Sequence, residues 1–485
     1  GLNPYLFELA NIRDQCSWVH SEQPEAATDK AAELVRMAIG RARHLQPLEG
    51  GVLDVDQKGL IIGGGLSGMT AALALANQGF KVHLVESSER LGGNLHDIHR
   101  TLEGNDVREF TKRLIDQTGR HENIEVLLNT RVTHVTGHIG KFQTAVSSNG
   151  HERELSSGVI IVATGANPVT TSEYLYGQAD GVMTQLELET KLCDGDFPGK
   201  GKNIVMIQCV GSRNDERPYC SRICCSAAVK NALAIKTQDP DANVFVLYRD
   251  VRTYGFREKY YKAAREAGVV FIRYDKDAAP EVTNNGDLLV NVKSPDLPEP
   301  IAIEADNVIL STGVETDREN NGRVSDMLKV PLNSDGFYVE AHMKLRPVDF
   351  ATEGIFLCGL AHSPKLIDEN ISQARAAAAR AATVLSKKQL DVSAQVSYVH
   401  QEKCISCMTC VPVCPYSAPA CNVDGKGEIE AAKCMGCGIC VSECPARAIQ
   451  LHHFETDQFA VMIRELLACD GNTAQPKTAQ TVEKN

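Results

Sequence analysis

The chain has no excess of positive charge, no long apolar run and no secretory start. Its formal net charge is -12 over 485 residues. That sets aside nucleic acid and anionic membrane surfaces as main partners. No apolar run approaches the ~18 residues of a membrane-spanning helix. The residues open on Gly1, as in a processed or trimmed product, without the charged start and apolar middle of a signal peptide. The setting of a disulfide framework is missing too. The 17 cysteines are spread through a long chain and clustered at short spacing, which reads as metal binding in a reducing cytoplasm. With 43% apolar residues, the chain can bury the cores of two to four domains.

What is present points to electron transfer. Cys404-x2-Cys407-x2-Cys410-x3-Cys414-Pro415 is followed by Cys434-x2-Cys437-x2-Cys440-x3-Cys444-Pro445. Each run is the ligand set of a bacterial-type ferredoxin with two 4Fe–4S clusters, in which the fourth cysteine of a run serves the other cluster. Cys404, Cys407, Cys410 and Cys444 are therefore expected on one cluster. Cys434, Cys437, Cys440 and Cys414 are expected on the other. A pair of zinc knuckles would not need the doubled x2-x2-x3 spacing with proline. Cys421, between the runs, reads as a non-ligand. Cys193, Cys358 and Cys469 read as free thiols, and 470–485 as a disordered tail.

Further upstream, Gly59-Leu60-Ile61-Ile62 reads as a buried strand, Met69 to Gln78 as a helix, and Lys81 to Glu86 as a second strand. Gly63-Gly64-Gly65-Leu66-Ser67-Gly68 lies at the first turn, and Glu86 comes 18 residues after its last glycine. Glycines let the backbone approach a pyrophosphate, the helix N-terminus stabilises its charge, and the acid accepts from a ribose hydroxyl. Three further segments select FAD over NAD. Ser87 to Gly93 follows the acid, Val159 to Gly165 is a strand ending in A-T-G that Val308 to Gly313 echoes, and Gly354 to Gly359 is a late strand followed by a helix from Ile371 to Ala382. Leu360 stands where an aspartate usually follows that last glycine, so one carboxylate contact to the flavin is missing. The candidate flavin-binding residues are Gly63, Gly65, Leu66, Ser67, Gly68, Glu86, Ser87, Arg90, Gly92, Gly93, Asn94, Val132, Ala163, Thr164, Gly165, Thr312, Gly313, Gly359, Lys365 and Gln373. Lys365 is the candidate to approach the isoalloxazine, against a plain solvent-facing lysine.

A second dinucleotide fold begins at Asn203-Ile204-Val205-Met206-Ile207, but Gln208-Cys209-Val210-Gly211 replaces its glycine turn. Side chains there would block a nicotinamide cofactor's pyrophosphate. Cys209, Cys220, Cys224 and Cys225 form C-x10-C-x3-C-C instead. Four thiolates could hold another 4Fe–4S cluster. Zinc, a redox disulfide at Cys224 and Cys225, or small buried residues are the alternatives. Thiols in place of an electron-donor site favour the cluster.

The chain resembles the heterodisulfide reductase A (HdrA-like) family, the flavin-containing subunits of electron-bifurcating complexes. The residues that carry the resemblance are Asn11 to His20, Cys209 to Cys225, Asp250 to Gly255, and Pro364 to Glu369. It covers nearly all of residues 1–455. The resemblance implies an α/β fold: a thioredoxin-reductase-like flavoprotein with two dinucleotide-binding domains, then an α+β bacterial-type two-cluster ferredoxin domain. The expected divisions are an N-terminal remnant and linker at 1–56, an FAD domain at 57–165 and 305–392, the inserted cysteine-bearing domain at 166–304, the ferredoxin at 393–455, and a helix and tail at 456–485. The resemblance also implies FAD and three 4Fe–4S clusters, one of them on Cys209, Cys220, Cys224 and Cys225. The implied partners are disulfide-reducing subunits, a hydrogenase- or formate-dehydrogenase-linked donor and ferredoxin, around a homodimer. The ferredoxin insert of archaeal members is absent, since residues 94–130 hold no cysteine. Cys16 reads either as one ligand of an incomplete cluster set or as local packing. Alternatives are the equivalent subunit of a benzoyl-CoA-reductase-type or quinone-interacting complex, a flavin disulfide reductase using Cys224 and Cys225, an NAD(P)H-dependent flavoprotein similar to the small subunit of glutamate synthase, and a docking scaffold.

Overall fold

The structure is a computed structural model and describes residues 1–196 and 201–468. Cys469 and the tail at 470–485 lie outside the described residues. The described residues form two compact units, one within 54–388 and one of residues 1–53 together with 389–468.

The larger unit holds two parallel five-stranded sheets. In the first, the order is Ile355–Leu357, Val159–Val162, Lys58–Ile62, Lys81–Val85, Ile124–Leu127. Leu60, Ile61, Ile160 and Ile161 are fully buried, as continuous apolar strands covered on both faces must be. Helix Leu66–Ala76 is buried along most of its length. It packs against helix Ile367–Leu385, whose buried Ala374, Ala377, Ala378 and Ala381 permit the close approach. On the other face, Val132, Phe142, Val146 and Leu155 of an antiparallel meander join the same core as Leu60 and Ile160.

Both helices begin earlier than their apolar periodicity suggests, at Leu66 and at Ile367. The first starts inside the glycine-rich motif because its opening turn is the anion-binding end of the βαβ unit.

The second sheet runs Val182–Thr184, Asn307–Leu310, Asn203–Ile207, Asn243–Tyr248, Val270–Arg273. Helix Cys224–Gln238 covers one face through Ala228, Val229, Ala232 and Ile235. A second antiparallel meander covers the other through Val290, Val292 and Ile303.

In the smaller unit, helix Pro24–Ala42 packs along helix Thr456–Leu467. Arg41 pairs with Glu8 at 2.9 Å and donates to the His453 carbonyl at 2.5 Å. Two short antiparallel pairs, Ser397–Val399 with Ile449–Leu451 and Pro419–Cys421 with Gly427–Ile429, frame the cysteine runs. Cys16 is 2% exposed, and its thiol donates to the Ala27 carbonyl at 2.8 Å. No described helix is long and apolar enough to cross a membrane.

Candidate functional site

The first dinucleotide turn has no room for side chains. Gly63 has φ +111°, and a Cβ on it would stand 2.3 Å from the Ala163 carbonyl oxygen. A Cβ on Gly68 would stand 1.7 Å from the Gly63 oxygen. The helix that follows has Gly65 at its N-cap and no side chain capping it. Its first N–H groups are thus left for an anion. Glu86 is held in place from both sides. One carboxylate oxygen accepts the Gly64 N–H at 2.6 Å, and the other accepts the Ser88 N–H and hydroxyl, each at 2.7 Å.

This turn opens into a cavity of about 1140 Å³. Gly63, Gly65, Leu66, Ser67, Glu86, Ser87, Gly92, Gly93, Asn94, Val132, Ala163, Thr164, Gly165, Thr312, Gly313 and Lys365 stand in its wall. Gly68, Arg90, Gly359 and Gln373 lie off it. Each has its own reason. Gly68 is where helix and strand touch, and Arg90 is exposed. The Gly359 N–H donates to the Gln373 side-chain oxygen at 2.9 Å, so this pair braces the loop behind the wall. An uncapped helix end, a turn without Cβ atoms and a ribose-type carboxylate in one large cavity fit FAD.

The same cavity reaches the second domain. Cys224, Ser226, Lys230 and Arg257 also line it. Lys230 pairs with the buried Glu189 at 2.6 Å and donates to the Arg100 carbonyl at 2.9 Å. Glu189 also accepts the His99 and Arg100 N–H groups. Arg257 pairs with Asp368 at 2.9 Å and with Glu103 at 3.3 Å.

The four upstream cysteines surround the end of strand Asn203–Ile207 and the start of helix Cys224–Gln238. Cys209 has a left-handed backbone, with φ +63°, a conformation that favours glycine. Arg213 and Arg222 are left-handed as well, so strained backbone concentrates in this loop. Cys224 and Cys225 open their helix, which has no side-chain cap. The positive end of its dipole therefore faces thiol sulfur. The Arg222 N–H donates to Cys220 Sγ at 3.3 Å, and Arg213 reaches Cys209 Sγ at 3.9 Å. Gln208 is 1% exposed, and both atoms of its amide lack a partner.

Burial pushes the Cys209 thiol up despite Arg213 and Arg249 nearby. Burial and the other three sulfurs push Cys224 far up. Cys225 is pushed up to about 11, first by burial. Such a set ionises only when positive charge is placed among the sulfurs, as the iron of a cluster would place it. Among the described residues, no three His, Cys, Asp or Glu side chains are close enough to share a single metal ion. A four-iron cube takes its thiolates at wider spacing than one tetrahedral zinc, whose sulfurs sit about 3.8 Å apart.

In the smaller unit, Cys404, Cys407, Cys410 and Cys444 ring one small cavity. Cys414, Cys434, Cys437 and Cys440 ring another. Backbone N–H groups point at four of these sulfurs: Gly427 to Cys404, Ser397 to Cys434, Ala418 to Cys414 and Ala448 to Cys444, at 3.3–3.5 Å. Such donors suit thiolates held on a cluster. Cys421 is exposed and turns to the Asn422 carbonyl.

Comparison with known proteins decides the family. The A component of the H(2):CoB-CoM heterodisulfide,ferredoxin reductase of Methanothermobacter thermautotrophicus is 34% identical, across 96% of this chain and 85% of that protein. The chain belongs to the heterodisulfide reductase A (HdrA-like) family. A CoB–CoM heterodisulfide reductase iron-sulfur protein of the same A type, from Methanopyrus kandleri, is 35% identical, across 86% of this chain and 78% of that one. The pyridine nucleotide-disulphide oxidoreductase family matches residues 57–207 and ends where the second glycine turn is lost. The 4Fe-4S binding domain family matches residues 397–420 and 428–450. Among solved structures, the thioredoxin reductase of Lactococcus lactis covers 68% of this chain and 99% of its own, at 20% identity and a TM-score of 0.47. This HdrA-like chain is an oxidoreductase subunit with an FAD-type domain and a 4Fe–4S domain, in the α/β plus ferredoxin arrangement expected from its sequence.

Lys230, Glu189, Arg222, His362 and Glu340 are not singled out by the sequence. None belongs to a spaced motif, and only the fold brings them to the cavity or its rim.

Proposed function

We propose that this chain is the flavin and iron–sulfur electron-transfer subunit of a heterodisulfide-reductase-type complex, its electron-bifurcating or confurcating centre. In this reading the cavity holds FAD, and Cys209, Cys220, Cys224 and Cys225 hold a 4Fe–4S cluster. The ferredoxin cysteines hold two more. The observation that carries the reading is the place of Cys224. It lines the same cavity as Gly63, Thr164 and Lys365, so this cysteine and the proposed flavin site share one cavity.

Bound there, FAD supplies exchange between two-electron and one-electron carriers. The protein's own groups do the rest. The turn at Gly63 and the open helix end hold the pyrophosphate, and Glu86 takes a ribose hydroxyl. Burial pushes Lys365 down to about 8, helped by the charge of Arg222 and opposed by Glu369. Lys365 is thus charged at neutral pH yet close to giving up its proton, which suits a group facing the isoalloxazine. Arg213 and Arg249 balance negative charge on Cys209. The loop at Gln208 to Gly211 leaves no nicotinamide site in the second domain. Disulfide-reducing subunits, a hydrogenase- or formate-dehydrogenase-linked donor and ferredoxin are the partners of this reading, around a homodimer; relatives whose names join hydrogen or formate to a heterodisulfide and ferredoxin support the donor and the acceptors.

The test is iron, sulfide and flavin content after anaerobic purification, with EPR of the reduced protein. About twelve irons and one FAD per chain are expected. About eight irons, with a disulfide between Cys224 and Cys225, would move the protein to the disulfide reductases.

A further inference from the structure

The carboxyl edge of the second sheet carries a row of polar side chains that the protein itself does not pair. Thr184, Leu310 and Ile207 stand in register on three adjacent parallel strands. The next residue on each is polar: Gln185, Ser311 and Gln208. Met183, Ile309 and Met206, two positions earlier, all pack in the core beneath helix Cys224–Gln238. Alternation places Ser311 and Gln208 on that same side, and Asn231 of the helix holds Gln185 there. All three residues are exposed by 6% or less. Yet Gln185 Nε2, Ser311 Oγ and both ends of the Gln208 amide have no hydrogen-bond partner.

Ser226, on the helix, adds a fourth buried group, and its hydroxyl is also unpaired. A hydroxyl inside a helix usually turns back to the carbonyl four residues earlier. Thr70, Thr111, Thr118 and Thr237 do so here. Ser226 does not, because Arg222 lies outside the helix with a left-handed backbone, φ +62°.

The direction of the Gln185 amide is fixed by its neighbour. Asn231 Nδ2 donates to the Gln185 backbone carbonyl at 3.0 Å, so that end of the Asn231 amide is nitrogen. The same Nδ2 donates to Gln185 Oε1 at 2.8 Å. Gln185 therefore keeps its oxygen for Asn231 and has only N–H donors left to give. Whatever it meets must be an acceptor.

Gln185, Ser226 and Ser311 line the large cavity with Cys224 and Thr312, whereas Gln208 lies off it, beside Cys209. Ligands of parallel α/β sheets meet the carboxyl edge of the strands. Buried polar atoms without partners are costly, and several along one cavity wall point to a bound group that meets them. We propose that Gln185, Ser226 and Ser311 hydrogen-bond the flavin ring and raise its reduction potential. The inference rests on the flavin reading above. In that reading the Gly63 turn takes the pyrophosphate, which leaves the ring for the wall around Cys224 and Thr312. The isoalloxazine offers ring nitrogens and carbonyl oxygens to the Gln185 N–H groups. The two hydroxyls can donate to the same kind of atom or accept a ring N–H. Reduction adds electron density to the ring's acceptors, and donors hold charged acceptors more strongly than neutral ones. The wall thus favours the reduced ring over the oxidised one without placing a charge beside it.

The experiment uses the full chain with its cofactors, equilibrated anaerobically with a redox dye of known potential, and reads the ratio of oxidised to reduced flavin. S226A and S311A each remove one oxygen. Each should shift the ratio about tenfold toward oxidised flavin, or about 30 mV for a two-electron couple. Q185E keeps an oxygen for Asn231 and replaces the donor with a carboxylate, so it should shift the ratio further in the same direction. Thermal melts of the flavin-stripped proteins give the second readout. S226A and S311A should then melt no lower than the native chain, because their hydroxyls have no partner in the protein. A serine variant that loses flavin but melts like the native chain when stripped supports the contact. Native ratios in all three variants overturn it and leave the row to ordered water. Serine variants that melt lower when stripped, or do not fold, also overturn it, since the hydroxyls would then serve the fold. A native protein that carries no flavin overturns the cavity reading instead, and that failure is visible before any variant is made.

Discussion

Replacing Cys209 in two ways separates its two duties. Its φ of +63° is the conformation of a turn glycine. A side chain there costs about 1–2 kcal/mol. Cys209→Ala removes the sulfur and keeps the strain, whereas Cys209→Gly removes both. Glycine's looser unfolded chain gives back about 0.4–1 kcal/mol. The cluster-free C209G protein should therefore be the more stable of the two by about 0.8 kcal/mol, the midpoint of those ranges. In a thermal melt of a unit of this size that is a difference of about 1 °C. Both variants should fall from about twelve irons per chain to about eight, with flavin retained. Iron content and melting of the two purified proteins, side by side, make the assay. Twelve irons in either variant would show that Cys209 is not a ligand. A C209A protein as stable as C209G would show that strand Asn203–Ile207 does not impose the left-handed turn.

NADH or NADPH added anaerobically should leave the flavin absorbance unbleached, because the second domain has no glycine turn to receive a pyrophosphate; bleaching would restore the nicotinamide reading. Lys365 should titrate near pH 8, charged below and neutral above, and a flavin absorbance change centred there should vanish in K365M. The sign for stability follows from its lowered value. Between about pH 8 and the ordinary lysine range the unfolded chain binds the extra proton, so folding stability should rise with pH across that window. G68A should abolish flavin binding, since its Cβ would stand 1.7 Å from a backbone oxygen that cannot swing away; a flavin-replete G68A protein would contradict the turn geometry.

The parts of this molecule that are legible in sequence are those whose chemistry is written in short spacing. Gly63 to Gly68, Glu86 and the two ferredoxin runs each lie within one turn, one βαβ unit or one loop. Local geometry decides what such patterns can bind. The crossed sets, with Cys444 beside Cys404 and Cys414 beside Cys434, follow from the same spacing rule and are grouped that way around two cavities. The remaining features are tertiary. Arg222 meets Glu369 across 147 residues, and Arg41 meets His453 across 412. No periodicity encodes such contacts. The wall that joins Lys230, Glu189 and Cys224 to the flavin turn exists only once two sheets have packed into one unit.

The loss of the second glycine turn explains more than a missing cofactor. In the first domain only Gly63, Gly64 and Gly65 separate strand Lys58–Ile62 from helix Leu66–Ala76. In the second, residues 208–223 separate Ile207 from helix Cys224–Gln238. That longer loop carries Cys209 and Cys220 to the helix start, where Cys224 and Cys225 wait. It also carries Arg222, whose N–H faces Cys220 and whose guanidinium reaches the Pro364 carbonyl at 3.1 Å and Glu369 at 2.8 Å. The segment so gripped, Pro364 to Glu369, contains Lys365. One loop therefore fixes the sulfurs on one side and the cavity-lining Lys365 on the other. A domain that binds a diffusible dinucleotide gains from swinging between positions. A domain that held a fixed cluster, as proposed here, would gain from staying still, because electron transfer weakens steeply with distance. The ties across this cavity, Arg222 to Glu369, Arg257 to Asp368 and Lys230 to the Arg100 carbonyl, are what holding the second domain still requires.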